Sequence, residues 1–110
     1  MNYSIKTIPK FDKNLKKLVK KHASFKEDFI SFVNNLKSNP IQGIDLGNNC
    51  YKIRLAIKSK GKGKSGGARI ITNIVISKST VYLIAIYDKT EKVTLSKKEL
   101  QDLLKDIPTL

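Results

Sequence analysis

The sequence predicts an α+β fold of order β-α-α-β-β-β-α, with helices laid on one mainly antiparallel sheet. Three observations carry this expectation. Two amphipathic helical stripes follow each other directly after a short N-terminal strand. Three strand-like runs then occupy residues 51–57, 68–76 and 80–89. A capped helical segment closes the chain.

Taken in order, residues 3–8 form a first strand with Tyr3, Ile5 and Thr7 on one side. Pro9 suits a helix start, and Phe11, Leu15, Leu18, Val19 and His22 fall on one stripe of the helix that follows. Lys10, Lys13, Lys16, Lys17, Lys20 and Lys21 occupy the remainder, a solvated face. His22, the single histidine, reads as a helix C-terminal residue rather than a catalyst. Ser24 and Glu27 have the spacing of a capping box for a second helix, whose buried stripe is Phe25, Phe29, Phe32, Val33 and Leu36. Ser38, Asn39 and Pro40 stop it. Two helices joined by a tight turn make an antiparallel hairpin laid on a sheet, so these phenylalanines are core.

Residues 41–49, rich in Gly, Asn and Asp, read as a loop. In the next run Tyr51, Ile53, Leu55 and Ile57 alternate with Lys52, Arg54 and Lys58, the pattern of a half-buried strand. Lys58, Lys60, Lys62 and Lys64 then recur at every second position among Gly61, Gly63, Gly66 and Gly67, a flexible cationic loop. The following strand carries Arg69 and Asn73 on one face. The short Ser77-Lys78-Ser79 connection makes the third run its antiparallel neighbour. Ser96 and Glu99 form a second capping box flanked by Leu95 and Leu100, and Leu100, Leu103, Leu104 and Ile107 line a last helix that Pro108 ends. With no repeat or linker, residues 1–110 read as a single domain.

The charge balance narrows the partners. Among 110 residues, 22 Lys and Arg against 9 Asp and Glu give a formal net charge of +13. Such an excess favours nucleic acid, an anionic membrane or an acidic protein. No apolar run approaches the roughly 20 residues that span a bilayer, and the strand-like N-terminus lacks a signal-peptide pattern, so an intracellular, cytoplasmic protein without membrane association is expected. Cys50 is alone and has neither a disulfide nor a zinc partner.

The glycines invite a nucleotide site, and context removes it. Gly61, Gly63 and Gly66 spell G-x-G-x-x-G, but a dinucleotide fold needs a helix after the motif, and here a strand follows. A kinase loop would need catalytic and magnesium motifs that are absent. Gly63-Lys64-Ser65 imitates the end of a P-loop, with lysine at position 58 where glycine is required. One His, one Cys and scattered acids offer no metal-ligand spacing, and no cofactor is implied. Chemistry on phosphate here would use Lys, Arg and Tyr.

Strand parity gathers those residue types. With the apolar side turned inward, Lys52 and Arg54 point out; Arg69 and Asn73 share a parity, as do Tyr87 and Lys89. Antiparallel pairing would bring all six to one surface. Both arginines of the chain, Arg54 and Arg69, lie in this set, and arginine offers phosphate a planar fork where lysine offers a point charge.

At these residues the chain resembles the RelE/ParE superfamily of type II toxin–antitoxin toxins, and within it the RelE and HigB-like mRNA interferases. The likeness rests on Tyr51-Lys52-Ile53-Arg54, Gly67-Ala68-Arg69-Ile70, Tyr87-Asp88-Lys89, the element order, and a loop over residues 60–67 like that of HigB-like members. The resemblance implies a RelE-like fold and a ribosome-dependent, metal-free mRNA endonuclease that inhibits translation, held inactive by a cognate antitoxin. It implies catalytic positions at Lys52, Arg54, Arg69, Lys89 and Tyr87; no tyrosine follows Tyr87, where RelE-type toxins use one nearer the C-terminus. Attack of the 2′-hydroxyl on the adjacent phosphate would confine the reaction to RNA, with Arg54 and Arg69 stabilising the phosphoryl oxygens. Lys52 would act as general base or acid, and Tyr87 or Lys89 would protonate the leaving 5′-oxygen or hold the phosphate. Lys58, Lys60, Lys62, Lys64 and Asn73 are the expected RNA contacts, the lysines anchoring the protein on the ribosome through charge. A ParE-like inhibitor of DNA gyrase and a non-catalytic RNA- or ribosome-binding module are the alternatives.

Overall fold

The structure, a computed structural model, describes residues 2–92 and 94–108. Strand β1 (Ser4–Thr7) leads into helices α1 (Pro9–Lys21) and α2 (Phe25–Ser38), then strands β2 (Ile44–Gly47), β3 (Cys50–Leu55), β4 (Ala68–Val75) and β5 (Thr80–Asp88), and helix α3 (Lys97–Leu104). The five strands form one sheet of order β1-β5-β4-β3-β2. Every pairing is antiparallel except that of β1 with β5. The expected α+β architecture is therefore present, with one strand more than the sequence predicts.

That strand is β2, inside the segment expected to be a loop. Asn48 and Asn49 adopt positive φ angles of 54° and 60°, the conformation a two-residue hairpin turn demands and one that asparagine tolerates. They fold β2 back onto β3. All four residues of β2 are exposed, so although Ile44 and Leu46 alternate with Asp45 and Gly47, the strand is short and buries no side chain.

The core lies between the sheet and the helical hairpin. Phe11 and Leu18 of α1, Phe25, Phe32 and Leu36 of α2, and Ile53, Ile70 and Ile86 of the sheet are buried. Each such side chain contributes roughly 1.5–3 kcal/mol relative to exposure. The tilted rings of Phe11, Phe25 and Phe32 all surround Phe29, with centroids 5.9, 6.4 and 6.2 Å away.

In β5 the simple alternation breaks. Ile71 faces Ala85 while Thr72 faces Leu83, leaving one extra residue on β5. Such a bulge switches the parity of a strand. Val81 and Leu83 before it, and Ile86 and Asp88 after it, thus all turn toward the helices. Nearly the whole of β5 is buried because the strand lies between β1 and β4 and is packed by both α1 and α3.

The capping boxes divide. Ser96 accepts from the Glu99 N–H and Glu99 accepts from the Ser96 N–H, both at 3.1 Å, as expected. Ser24 has helical backbone angles and caps no N–H with its side chain. Its hydroxyl instead donates to Asp28 Oδ2 at 2.7 Å. It also accepts from the Ser59 N–H at 2.9 Å. Long-range contact has overridden the local signal.

Candidate functional site: a basic row across the sheet

Three adjacent strands align Arg54, Arg69 and Tyr87. Arg54 of β3 lies opposite Arg69 of β4, and Arg69 lies opposite Tyr87 of β5. Directly opposed residues project from the same face with Cβ atoms about 4.5–5.5 Å apart. Two residues along, Lys52 faces Ile71 on that same side. The opposite face carries Asp88, which meets His22 at the C-terminal end of α1, so the basic row looks away from the helical hairpin. Parity expected from sequence thus holds for Lys52, Arg54, Arg69, Asn73 and Tyr87.

The members of the row differ in access. Arg54 is exposed, whereas Arg69 is only 4% exposed. The Arg69 Nη1 donates to the carbonyls of Lys64 and Ala68 at 2.9 and 3.2 Å, and its Nη2 to that of Ser65 at 3.4 Å. Burial first, then repulsion from Arg54, lowers the pKa of Arg69 from its ordinary value. Among the described residues neither arginine has a carboxylate partner. Like charges placed opposite each other on a sheet destabilise it, so this pairing stands as an unneutralised site for an anion.

Tyr87 is half-buried, and its hydroxyl is buried without a hydrogen-bond partner among the described residues. Burial raises its pKa; Arg69 opposes that and Glu99 adds to it. On the same face Ile71 and Ala85 are buried, although α1 and α2 cover the other side. The cover comes from α3, which packs on β5 and buries Leu100 and Leu103. The basic row therefore runs out from under α3 toward open solvent at Arg54.

The glycine-lysine loop is pinned at its base, where flexibility was expected. The Lys58 N–H donates to Asp28 Oδ2 at 3.0 Å, and Ser59 is held by Ser24. Lys60 Nζ reaches Asp88 Oδ1 at 3.0 Å. Asp88 also accepts from the Thr90 N–H and hydroxyl at 3.0 and 2.8 Å and meets His22 Nε2 at 3.0 Å. Burial would raise the Asp88 pKa, but the bonds from Thr90, Lys60 and His22 outweigh it and hold the carboxylate well below its ordinary range. Lys60 is thus turned inward, while Lys58, Lys62 and Lys64 are exposed. At the loop's end, a Cβ on Gly67 would lie 2.1 Å from the Leu55 carbonyl oxygen. Only glycine lets the chain re-enter β4 there.

Two further expected residues lie apart from the row. Asn73 pairs with Cys50 at the far end of β3, about 13 Å from Arg54 at ~3.3 Å per strand residue. Its amide donates to the Asn48 carbonyl and to Cys50 Sγ, at 3.0 and 3.4 Å, bracing the β2–β3 turn. Lys89 follows the end of β5, and its N–H donates to the Gly67 carbonyl at 3.1 Å. The Asp88 network was not foreseen from sequence. The one signal available is that Asp88 is the sole carboxylate in the three long strands.

Sheet order and helical layer are together those of a RelE/ParE-type toxin of a toxin–antitoxin system. The family described as the RelE toxin of the RelE/RelB toxin–antitoxin system matches residues 10–108, and the chain belongs to that family. Among solved structures, free E. coli toxin RelE carrying two arginine-to-alanine substitutions is similar at 18% identity, with a TM-score of 0.65 over 98% of this chain and 100% of that one. The isolated E. coli RelE toxin gives 17% identity and a TM-score of 0.61 over 96% and 99% of the two chains. The intact E. coli RelBE toxin–antitoxin complex matches at 18% identity and a TM-score of 0.60, covering 78% of this chain and 95% of that one.

Proposed function

We propose that this protein is a ribosome-dependent endoribonuclease that cuts translated mRNA without a metal ion, acting as a single-domain cytoplasmic toxin neutralised by a cognate antitoxin. The observation that carries this reading is the direct opposition of Arg54 and Arg69 with no acid between them. A backbone phosphate bound there relieves the repulsion, held by the exposed fork of Arg54 and by the N–H groups of Arg69 that the backbone carbonyls of Lys64, Ser65 and Ala68 leave unused. The RNA 2′-hydroxyl attacks that phosphate, the bond to the 5′-oxygen breaks, and the two arginines stabilise the charge on the phosphoryl oxygens. Lys52, on the same face, is the candidate to take the proton from the 2′-hydroxyl. Tyr87 or Lys89 is the candidate to return one to the leaving 5′-oxygen. Exposed Lys58, Lys62 and Lys64 bind ribosomal RNA by charge. Membership of the RelE family and the RelB-bound E. coli relative support the antitoxin.

The chemistry of the products tests this reading. Programmed ribosomes incubated with the purified protein should release fragments bearing 2′,3′-cyclic or 3′-phosphate and 5′-hydroxyl ends. Fragments with 5′-phosphates would contradict attack by the 2′-hydroxyl.

A further inference from the structure

Beside the basic row, between β2 and the turn at Lys64, lies an open cleft of about 450 Å³ whose walls include Gln42, Gly43, Ile44, Lys52, Arg54 and Lys64. Its size falls within the range of roughly 300–1,000 Å³ usual for small-ligand sites. We propose that this cleft holds the base of the nucleotide next to the scissile phosphate, and that Gln42 selects adenine or cytosine there. The inference rests on the endonuclease reading and adds a base preference to it.

Two chemistries meet in the cleft. Lys52, Arg54 and Lys64 supply three cations. Ile44, which lies opposite Lys52, is 50% exposed and offers an apolar surface without a partner. A nucleotide combines an anionic group with a flat, weakly polar face in the same way. Gly43 keeps the cleft's floor close to the sheet: it has φ +85°, and a Cβ there would lie 2.1 Å from the Lys52 carbonyl oxygen.

Gln42 supplies the selectivity. Its Nε2 donates to Asn35 Oδ1 at 2.8 Å and to the Asn39 carbonyl at 2.6 Å. A backbone carbonyl only accepts, so this contact fixes which end of the amide is nitrogen. Both N–H groups are engaged, and Oε1 is left as an acceptor. Adenine and cytosine present an amino donor where guanine and uracil present a carbonyl oxygen. An acceptor held opposite that one position of a seated base, clear of the ring N–H groups of guanine and uracil, favours the first pair and repels the second.

The test is a messenger library randomised around one codon, cut by the protein on ribosomes, with the new 5′-ends sequenced. Wild-type protein should enrich adenine and cytosine over guanine and uracil about fivefold at one fixed position beside the cut, the discrimination of a single net hydrogen bond. Gln42→Met, similar in volume and with only a weak thioether acceptor, should lose that bias, with an unchanged thermal midpoint showing that it folds. Flat base usage by the wild type, a guanine or uracil preference, or an unchanged bias in Gln42→Met overturns the proposal. If the wild type does not cut at all, the endonuclease reading fails, and the cleft is judged by binding of C4 against U4 tetranucleotides. Tighter binding of C4 that Gln42→Met abolishes supports it; equal binding overturns it.

Discussion

Arg54 and Asp88 show two opposite uses of charge at the scale of single residues. Arg54 is exposed and faces another arginine, whereas Asp88 is 1% exposed and surrounded by donors. Replacing Arg54 by alanine should lower the cleavage rate by roughly 10²–10³, the usual loss when a preorganised donor to a developing anion is removed. Arg54→Lys should recover only part of it, because a point charge replaces a fork. Asp88 acts on stability. Its folded pKa lies below the ordinary value of 3.8, so its contribution is complete above that value and is lost as pH falls toward the folded one. Asp88→Asn should be destabilised at neutral pH by roughly 3 kcal/mol, the lower end for breaking a buried ion pair, and its stability should fall less steeply with acid. Urea titrations from about pH 7 to pH 3 would show it; parallel acid slopes for the two proteins would contradict the assignment. From sequence, strand parity already places both arginines on one face. Asp88 gives no such signal, because its partners come from α1, the lysine loop and the turn after β5, which only tertiary packing brings together.

At the scale of elements, the β2–β3 hairpin and the lysine loop frame the site. Gly43→Ala would place a side chain at positive φ against the Lys52 carbonyl. It should cost roughly 1–3 kcal/mol in strain, read as a lower thermal midpoint together with weaker RNA binding. The loop lysines should reveal themselves through salt. Replacing Lys58, Lys62 and Lys64 by glutamine should flatten the slope of log K against log[salt] for RNA binding by about 2, at ~0.7 for each phosphate no longer neutralised. An unchanged slope would remove the loop from the RNA surface. Helices α1 and α2 are legible in sequence because their apolar stripes are long and regular. Strand β2 is not, since it buries no side chain and its existence rests on the Asn48-Asn49 turn. The Ser24 box fails for a related reason: Asp28 and the Ser59 backbone compete for the same hydroxyl.

Over the whole molecule, the sheet separates structure from chemistry. One face is closed by the helical hairpin and anchored through Asp88; the other carries the arginines, partly roofed by α3 and open at Arg54 and the Gln42 cleft. The net charge of +13 is thereby displayed without an internal acid at the row. The bulge in β5 resets the parity of the strand, so that Val81 and Leu83 on one side of it and Ile86 and Asp88 on the other share the helical face while the Arg69–Tyr87 register is kept. Binary pattern alone foretells the layers but not the bulge, since a fully buried strand has no alternation to interrupt. On this geometry the opposed arginines would cut RNA during translation. The most direct measurement is genome-wide mapping of RNA 5′-ends after induction of the wild type and of Arg54→Ala at matched protein levels. The wild type should cause growth arrest with new 5′-hydroxyl ends inside translated messages, and the variant should cause neither. Arrest with intact messages and DNA-damage signalling, or full cutting by Arg54→Ala, would contradict this.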